Sequence, residues 1–300
     1  MADATPSGDQ PSAPKQPSEQ PAEPPLSALG TLKTVAFIVA IQLVAIFITK
    51  VNAPAVQASG VSIAPAGTSS GGSIANVLIL LAFVFAATIA GVWLARRRKV
   101  QLFMAVVYLG TGVALFTLTL LAAADVTENY MDPNTSLYVS LALASSTIVV
   151  LALVTLRRIP SWSALLLTGL LSAEVGSYFA STIPILTALL LPIGFSIYDV
   201  YTVFKGPLRT LVNTLPNETL SAISSKIGDF SIGTGDTVFY SMVPALAYYQ
   251  FTLGTAMVAL VAVDAGVVLT LYLLSKVKLL PGLPIPMFLG LAVLLAYYFH

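Results

Sequence analysis

The 300-residue chain has no cysteine and one histidine, His300, at its last position. Without cysteine there can be no disulfide, no thiol catalysis and no cysteine-metal site. With so little histidine there is neither a Ser-His hydrolytic dyad nor a His-Glu-x-x-His zinc site, and no metal or other cofactor is expected. Charge is scarce as well: 9% of residues are Asp, Glu, Lys or Arg, where soluble domains carry about 25%. The net charge of +1 gives no reason to invoke nucleic acid. Hydrophobic residues make up 57% of the chain, which makes the lipid bilayer its main surroundings. The chemistry left to such a sequence belongs mostly to carboxylates.

Residues 1–30 are dense in Pro, Ser, Gln and Ala and are expected to form a disordered cytoplasmic tail, because they cannot bury enough apolar surface to offset chain entropy. Residues 31–300 are expected to form one all-α membrane domain of nine transmembrane helices. Its apolar stretches run near 33–50, 74–95, 101–124, 136–156, 162–182, 184–204, 230–251, 253–275 and 281–299, each near the roughly 17–25 residues a spanning helix needs. The first is interrupted by Gln42, and Ala53-Pro54-Ala55 beyond it resembles a signal-peptidase site. The segment before it is too long and too weakly basic for a signal peptide.

Basic residues set the expected orientation. Arg96, Arg97, Arg98 and Lys99 follow the second stretch, and Arg157 and Arg158 the fourth. Lys205, Arg209 and Lys226 follow the sixth, Lys276 and Lys278 the eighth, and Lys15 and Lys33 precede the first. Thirteen of fourteen Lys and Arg thus fall on one side, with Lys50 alone opposite. That side should be the cytoplasm, which puts the amino terminus inside and the carboxyl terminus outside.

This arrangement brings two aspartates to one depth. Asp199 lies six residues before Lys205, and Asp236 lies seven residues after Asp229, so each sits about 9–10 Å below the cytoplasmic surface. Ionisable groups in hydrocarbon are costly and are presumed functional. Two facing carboxylates that share a proton can activate water for peptide hydrolysis. Gly233 and Gly235 let the chain bend at Asp236 and let another backbone come close. The prolines of Pro281-Gly282-Leu283-Pro284-Ile285-Pro286 exclude regular helix at the start of the ninth stretch. An embedded aspartate can also be an ion ligand, a proton relay or a structural pair, and Tyr198 can simply pack on a neighbouring helix. Glu174 and Asp264, the other acids at membrane depth, are expected to face the bundle interior with polar partners. With Asp199 and Asp236 they would serve a proton- or cation-coupled transporter or channel, which is the alternative function. Gly169, Ser172, Ala173 and Gly176 fit close helix packing in the fifth stretch.

Ser196-Ile197-Tyr198-Asp199-Val200-Tyr201, followed by Lys205-Gly206-Pro207-Leu208-Arg209, resembles the sixth span of presenilin and its exit. Gly233-Thr234-Gly235-Asp236-Thr237-Val238-Phe239-Tyr240-Ser241 is similar to the start of presenilin's seventh span. Signal peptide peptidase shares both aspartate motifs but has the opposite orientation, and prepilin peptidases share only Gly-x-Gly-Asp. The resemblance implies an intramembrane aspartyl endopeptidase that cuts transmembrane protein or peptide substrates, with Asp199 and Asp236 catalytic and Tyr198, Gly233 and Gly235 supporting them. It places Pro281, Gly282 and Leu283 at the family's substrate-binding Pro-Ala-Leu motif, with Gly282 where alanine is usual. Pro244-Ala245-Leu246 stands in mid-span and is taken as coincidence. The short segment 205–229 suggests a microbial homologue in a prokaryotic cell membrane, acting alone. Self-cleavage in that segment and accessory subunits are not carried over.

Overall fold

A computed structural model describes residues 28–97, 99–160, 162–206, 224–227, 230–277 and 280–299. All of the expected tail except residues 28–30 therefore lies outside the described residues, and those three open the first helix. Arg98, Pro207-Leu208-Arg209, Asp229, Lys278 and His300 also lie outside them.

Among the described residues, nine helices follow the nine apolar stretches. They are α1 (Ala28–Ser59), α2 (Ser70–Arg96), α3 (Val100–Thr127), α4 (Pro133–Thr155), α5 (Trp162–Thr182), α6 (Ile185–Phe204), α7 (Thr234–Gln250), α8 (Leu253–Leu274) and α9 (Pro284–Tyr298). Local chemistry ends them. Asp132 caps α4 by accepting the Thr135 amide at 3.1 Å, with Pro133 in the first turn, a position where a missing amide hydrogen costs nothing. That hydrogen bond holds the Asp132 carboxyl below the usual carboxylate range. Thr252 caps α8 in the same way, accepting from the Thr255 amide at 3.2 Å.

Seven helices, α1 to α6 and α8, are long and apolar enough to cross a membrane. The nine-span expectation needs adjustment at the other two. Helix α7 has 17 residues and α9 has 15, about 26 Å and 22 Å at 1.5 Å per residue. The hydrocarbon core of a bilayer is about 30 Å thick. Both expected stretches begin outside helix, for different reasons. Residues 281–283 form the irregular lead-in that Pro281 and the following Pro284 dictate. Residues Phe230–Gly233 form strand β2, paired antiparallel with β1 (Ser224–Ile227) in the register Ser224↔Gly233 to Ile227↔Phe230. The expectation of helix from residue 230 is thereby corrected. The sequence does carry the signal, since two short runs separated by the two residues Gly228-Asp229 match a hairpin pattern.

The core lies where α1, α5, α7 and α8 meet, with α9 against α8. Helix α1 runs on through Pro54 and turns one face inward, Thr34, Ile38, Ile41, Gln42, Ala45 and Thr49, at the spacing of three and four that places residues on one side of a helix. Helices α3 and α4 stand outside the buried core and α2 joins it at Val77, with apolar residues such as Phe83 and Leu109 exposed at 73% and 70%. In water such surfaces would be a liability. In lipid they are ordinary.

The small residues of α5 pack as expected. Ala173 is fully buried, and a Cβ on Gly169 would stand 3.2 Å from the Phe37 ring of α1. Hydroxyls bind the seam: Ser172 and Thr237 share a hydrogen bond of 2.7 Å, Ser241 donates to the Ser172 carbonyl at 2.8 Å, and Thr49 donates to Ser177 at 2.8 Å. Interhelical polar contacts of this kind hold membrane helices together where no hydrophobic driving force acts between them.

Candidate active site

Asp199 sits in the last turns of α6, one turn and a half before the helix ends at Phe204. Asp236 is the third residue of α7, after the capping residue Gly233. From that position its carboxylate turns back and is hydrogen-bonded by the Gly233 backbone, which is one half of a capping box. The positive end of the helix favours an acid there. Gly-Thr-Gly-Asp is therefore a helix start that fixes one carboxylate by its own backbone. A Cβ on Gly233 would lie 3.3 Å from Asp236 Oδ2, so the glycine gives that carboxylate its room.

Residues 281–283 complete the site from a third direction. The Leu283 amide donates to Asp199 Oδ2 at 3.0 Å, and the Gly282 amide is also directed at this carboxylate. A Cβ on Gly282 would stand 2.8 Å from Asp236 Oδ2 and 3.5 Å from Tyr240 Oη. One short segment thus touches both acids, and the two carboxylates act electrostatically on each other. Each is only partly exposed. Pro281 and Leu283 are buried, the latter at 4% exposure, and anchor the segment in the core.

Tyr240 is a member of the site that the sequence reading passed over. Its phenol donates to the Gly282 carbonyl at 2.9 Å. It follows Asp236 by four residues, so the two lie on one face of α7, and that spacing was the available signal.

Tyr198 is placed differently. Its hydroxyl shares a 2.9 Å hydrogen bond with Thr88 of α2, and its ring meets Phe85 and Phe195 edge-on at 6.5 and 6.3 Å. These contacts tie α6 to α2. Tyr198→Phe is expected to keep the ring packing and lose one interhelical hydrogen bond, at a cost of about 0.5–1.5 kcal/mol. Thermal unfolding in detergent reads that loss, and a turnover unchanged within about twofold would fit a packing role rather than a chemical one.

Gly235 faces the other way, with nothing within 4 Å of where its Cβ would stand, which leaves an open approach beside Asp236. Glu174 and Asp264 have polar partners at the bundle interior. Thr119 donates to Glu174 Oε1 at 2.7 Å and the Gln42 side chain donates to Asp264, while Glu174 Oε2 and Asp264 Oδ1 are buried without a partner among the described residues. Neither acid is hydrogen-bonded to Asp199 or Asp236. Among the described residues, no group of three or more His, Cys, Asp or Glu stands close enough to hold a metal.

No protein-family model matches the chain, and no curated protein is similar to it in sequence. Solved structures do match. A presenilin family intramembrane aspartate protease in one crystal form aligns over 90% of this chain and 99% of its own, with a TM-score of 0.62 and 21% identity. A structure of a presenilin family intramembrane aspartate protease in a second crystal form aligns over 92% and 99%, with a TM-score of 0.59 and 23% identity. At these identities the likeness establishes the architecture, and the chain has the fold of the presenilin-family intramembrane aspartate proteases.

Proposed function

We propose that the chain is an intramembrane aspartyl endopeptidase that hydrolyses peptide bonds within transmembrane helices of other proteins. The observation that carries this reading is the contact of one backbone segment, 282–283, with two carboxylates on two different helices. In this reading that contact holds the acids near one another, where each is partly exposed. One ionised aspartate takes a proton from a water between the pair, and the water attacks the scissile carbonyl. The protonated partner donates to the carbonyl oxygen, and the roles exchange as the amine leaves.

A substrate helix must unwind before this chemistry, and its freed backbone groups then need partners inside the membrane. The hairpin β1–β2 ends at Gly233, three residues before Asp236. Strand edges can take up an extended segment through backbone hydrogen bonds. In this reading all nine helices are membrane-embedded, with α7 and α9 short because their leading ends are given over to the site. The amino terminus is cytoplasmic and the carboxyl terminus outside, as the basic residues favour, and the membrane is that of a prokaryotic cell.

Gly282→Ala probes the geometry directly. The added methyl must displace the end of the Asp236 side chain, which it would meet at 2.8 Å. A small misplacement of a catalytic group costs on the order of tenfold or more in rate. Turnover is expected to fall about tenfold with the unfolding temperature unchanged, as read by parallel kinetics and thermal scans.

The function itself is tested in liposomes that hold the purified protein and a single-span peptide. Cleavage into two products supports the protease. Flux of protons, cations or solutes without cleavage supports the transporter.

A further inference from the structure

Pro244 interrupts α7 four residues after Tyr240. In an unbroken helix the amide of residue 244 would donate to the Tyr240 carbonyl, but proline has no amide hydrogen. A carbonyl freed inside a membrane bundle must find another donor. Here the donor comes from α1: Gln42 Nε2 donates to the Tyr240 carbonyl at 3.3 Å, and the Gln42 side chain is 0% exposed. The same amide also faces the Asp264 carboxylate on α8, which accepts from it. One amide thus joins three helices at the point where α7 lacks its own hydrogen bond.

Tyr240 is also the residue whose phenol holds the Gly282 carbonyl, and the next residue's amide holds Asp199. We infer that Gln42 and Asp264 are positioning residues for the aspartate pair: Asp264 orients the Gln42 amide, which replaces the hydrogen bond that Pro244 removes and so fixes Tyr240 and the 282–283 segment. They touch neither carboxylate of the pair and act through Tyr240. The functional half of this inference rests on the protease reading; the splint itself does not.

Four versions of the full-length protein test it: wild type, Gln42→Leu, Pro244→Ala and the double variant. Pro244→Ala returns the helix's own amide to the Tyr240 carbonyl, so it should make Gln42 dispensable. For cleavage of a single-span peptide in proteoliposomes, Gln42→Leu is expected to lower kcat about tenfold with KM within about twofold. Pro244→Ala alone should stay within about twofold of wild type, and the double variant should recover to within about threefold. Asp264→Asn, which can still donate and accept toward Gln42, should retain activity that Asp264→Leu loses.

A double variant no better than Gln42→Leu, or a Gln42→Leu protein indistinguishable from wild type, would overturn the inference. Thermal unfolding in detergent is measured on the same four proteins. Should the wild type cleave no peptide, stability lost in Gln42→Leu and regained in the double variant upholds the splint while the protease reading fails. Stability not regained overturns the splint itself. Should Gln42→Leu not fold, Asp264→Leu takes its place, and its rescue or non-rescue by Pro244→Ala decides in the same way.

Discussion

Asp199→Asn and Asp236→Asn should each reduce cleavage of a membrane-embedded peptide by about a thousandfold or more, while the folded protein survives intact. General acid–base groups contribute roughly 10²–10⁴-fold each, and in the proposed mechanism one group takes a proton and the other gives one. An amide does neither at neutral pH. Asparagine nevertheless keeps the shape of both positions: its oxygen can still accept the Leu283 amide at 199 and the Gly233 backbone at 236, the contacts that the wild-type carboxylates make. Removing one of two neighbouring, partly buried acids also relieves their repulsion, so the unfolding temperature should hold or rise. Purified variants in one detergent, scanned for unfolding and assayed on the same peptide, check both halves. Loss of activity together with loss of fold would carry no weight.

Gly176→Val should be the most damaging single change outside the dyad. A Cβ at Gly176 of α5 would already meet Ser241 Oγ, and it would stand 2.9 Å from the Met242 amide nitrogen and 3.0 Å from the Val238 carbonyl of α7. A side chain can swing away, but two of those three atoms are backbone. Overpacking by a methylene costs about 1–3 kcal/mol where neighbours can adjust, so Gly176→Ala should cost about 2–3 kcal/mol and valine more. The displaced helix is the one that carries Asp236, and the hydroxyl seam of Ser172, Thr237 and Ser241 lies beside it. Cleavage should therefore fall about 10²-fold in any Gly176→Val protein that still folds. Gly235→Ala is the control, since its Cβ would point into open space. It should leave the unfolding temperature unchanged or slightly higher, because alanine is the better helix former. Equal damage from the two substitutions would contradict the packing described for α5 and α7.

Much of the fold was legible because lipid leaves few solutions. Apolar runs of spanning length must be helices, and all nine were found close to their expected places. What the apolar signal could not show was where a run stops being helical. Phe230-Ser231-Ile232-Gly233 reads as the polar-apolar start of a span, yet its backbone pairs with Ser224–Ile227, a choice signalled by Gly228-Asp229 in the sequence rather than by hydropathy. The site was legible in a similar way. Asp199 and Asp236 stand out as two acids at one depth, Gly282 only through the resemblance to the family's Pro-Ala-Leu motif, and in the structure residues 282 and 283 lie against the two carboxylates. Tyr198 was not separable from its aspartate in sequence, because adjacent residues on a helix point about 100° apart and only the neighbouring α2 reveals which way the phenol faces. Gln42 read as a blemish in an apolar stretch, and Pro244 as part of a chance match. Each is explained by the other, 202 residues away in the chain, and nothing local to either could have shown it.

The most direct test of the account is whether the two aspartates act as one unit. Turnover of a single-span peptide should be measured in one proteoliposome preparation for wild type, Asp199→Asn, Asp236→Asn and the double variant. Groups that share one proton and one water are not additive, so the double variant should be no slower than either single one. A single variant that still cuts at a rate near wild type, or losses that multiply in the double variant, would contradict the account.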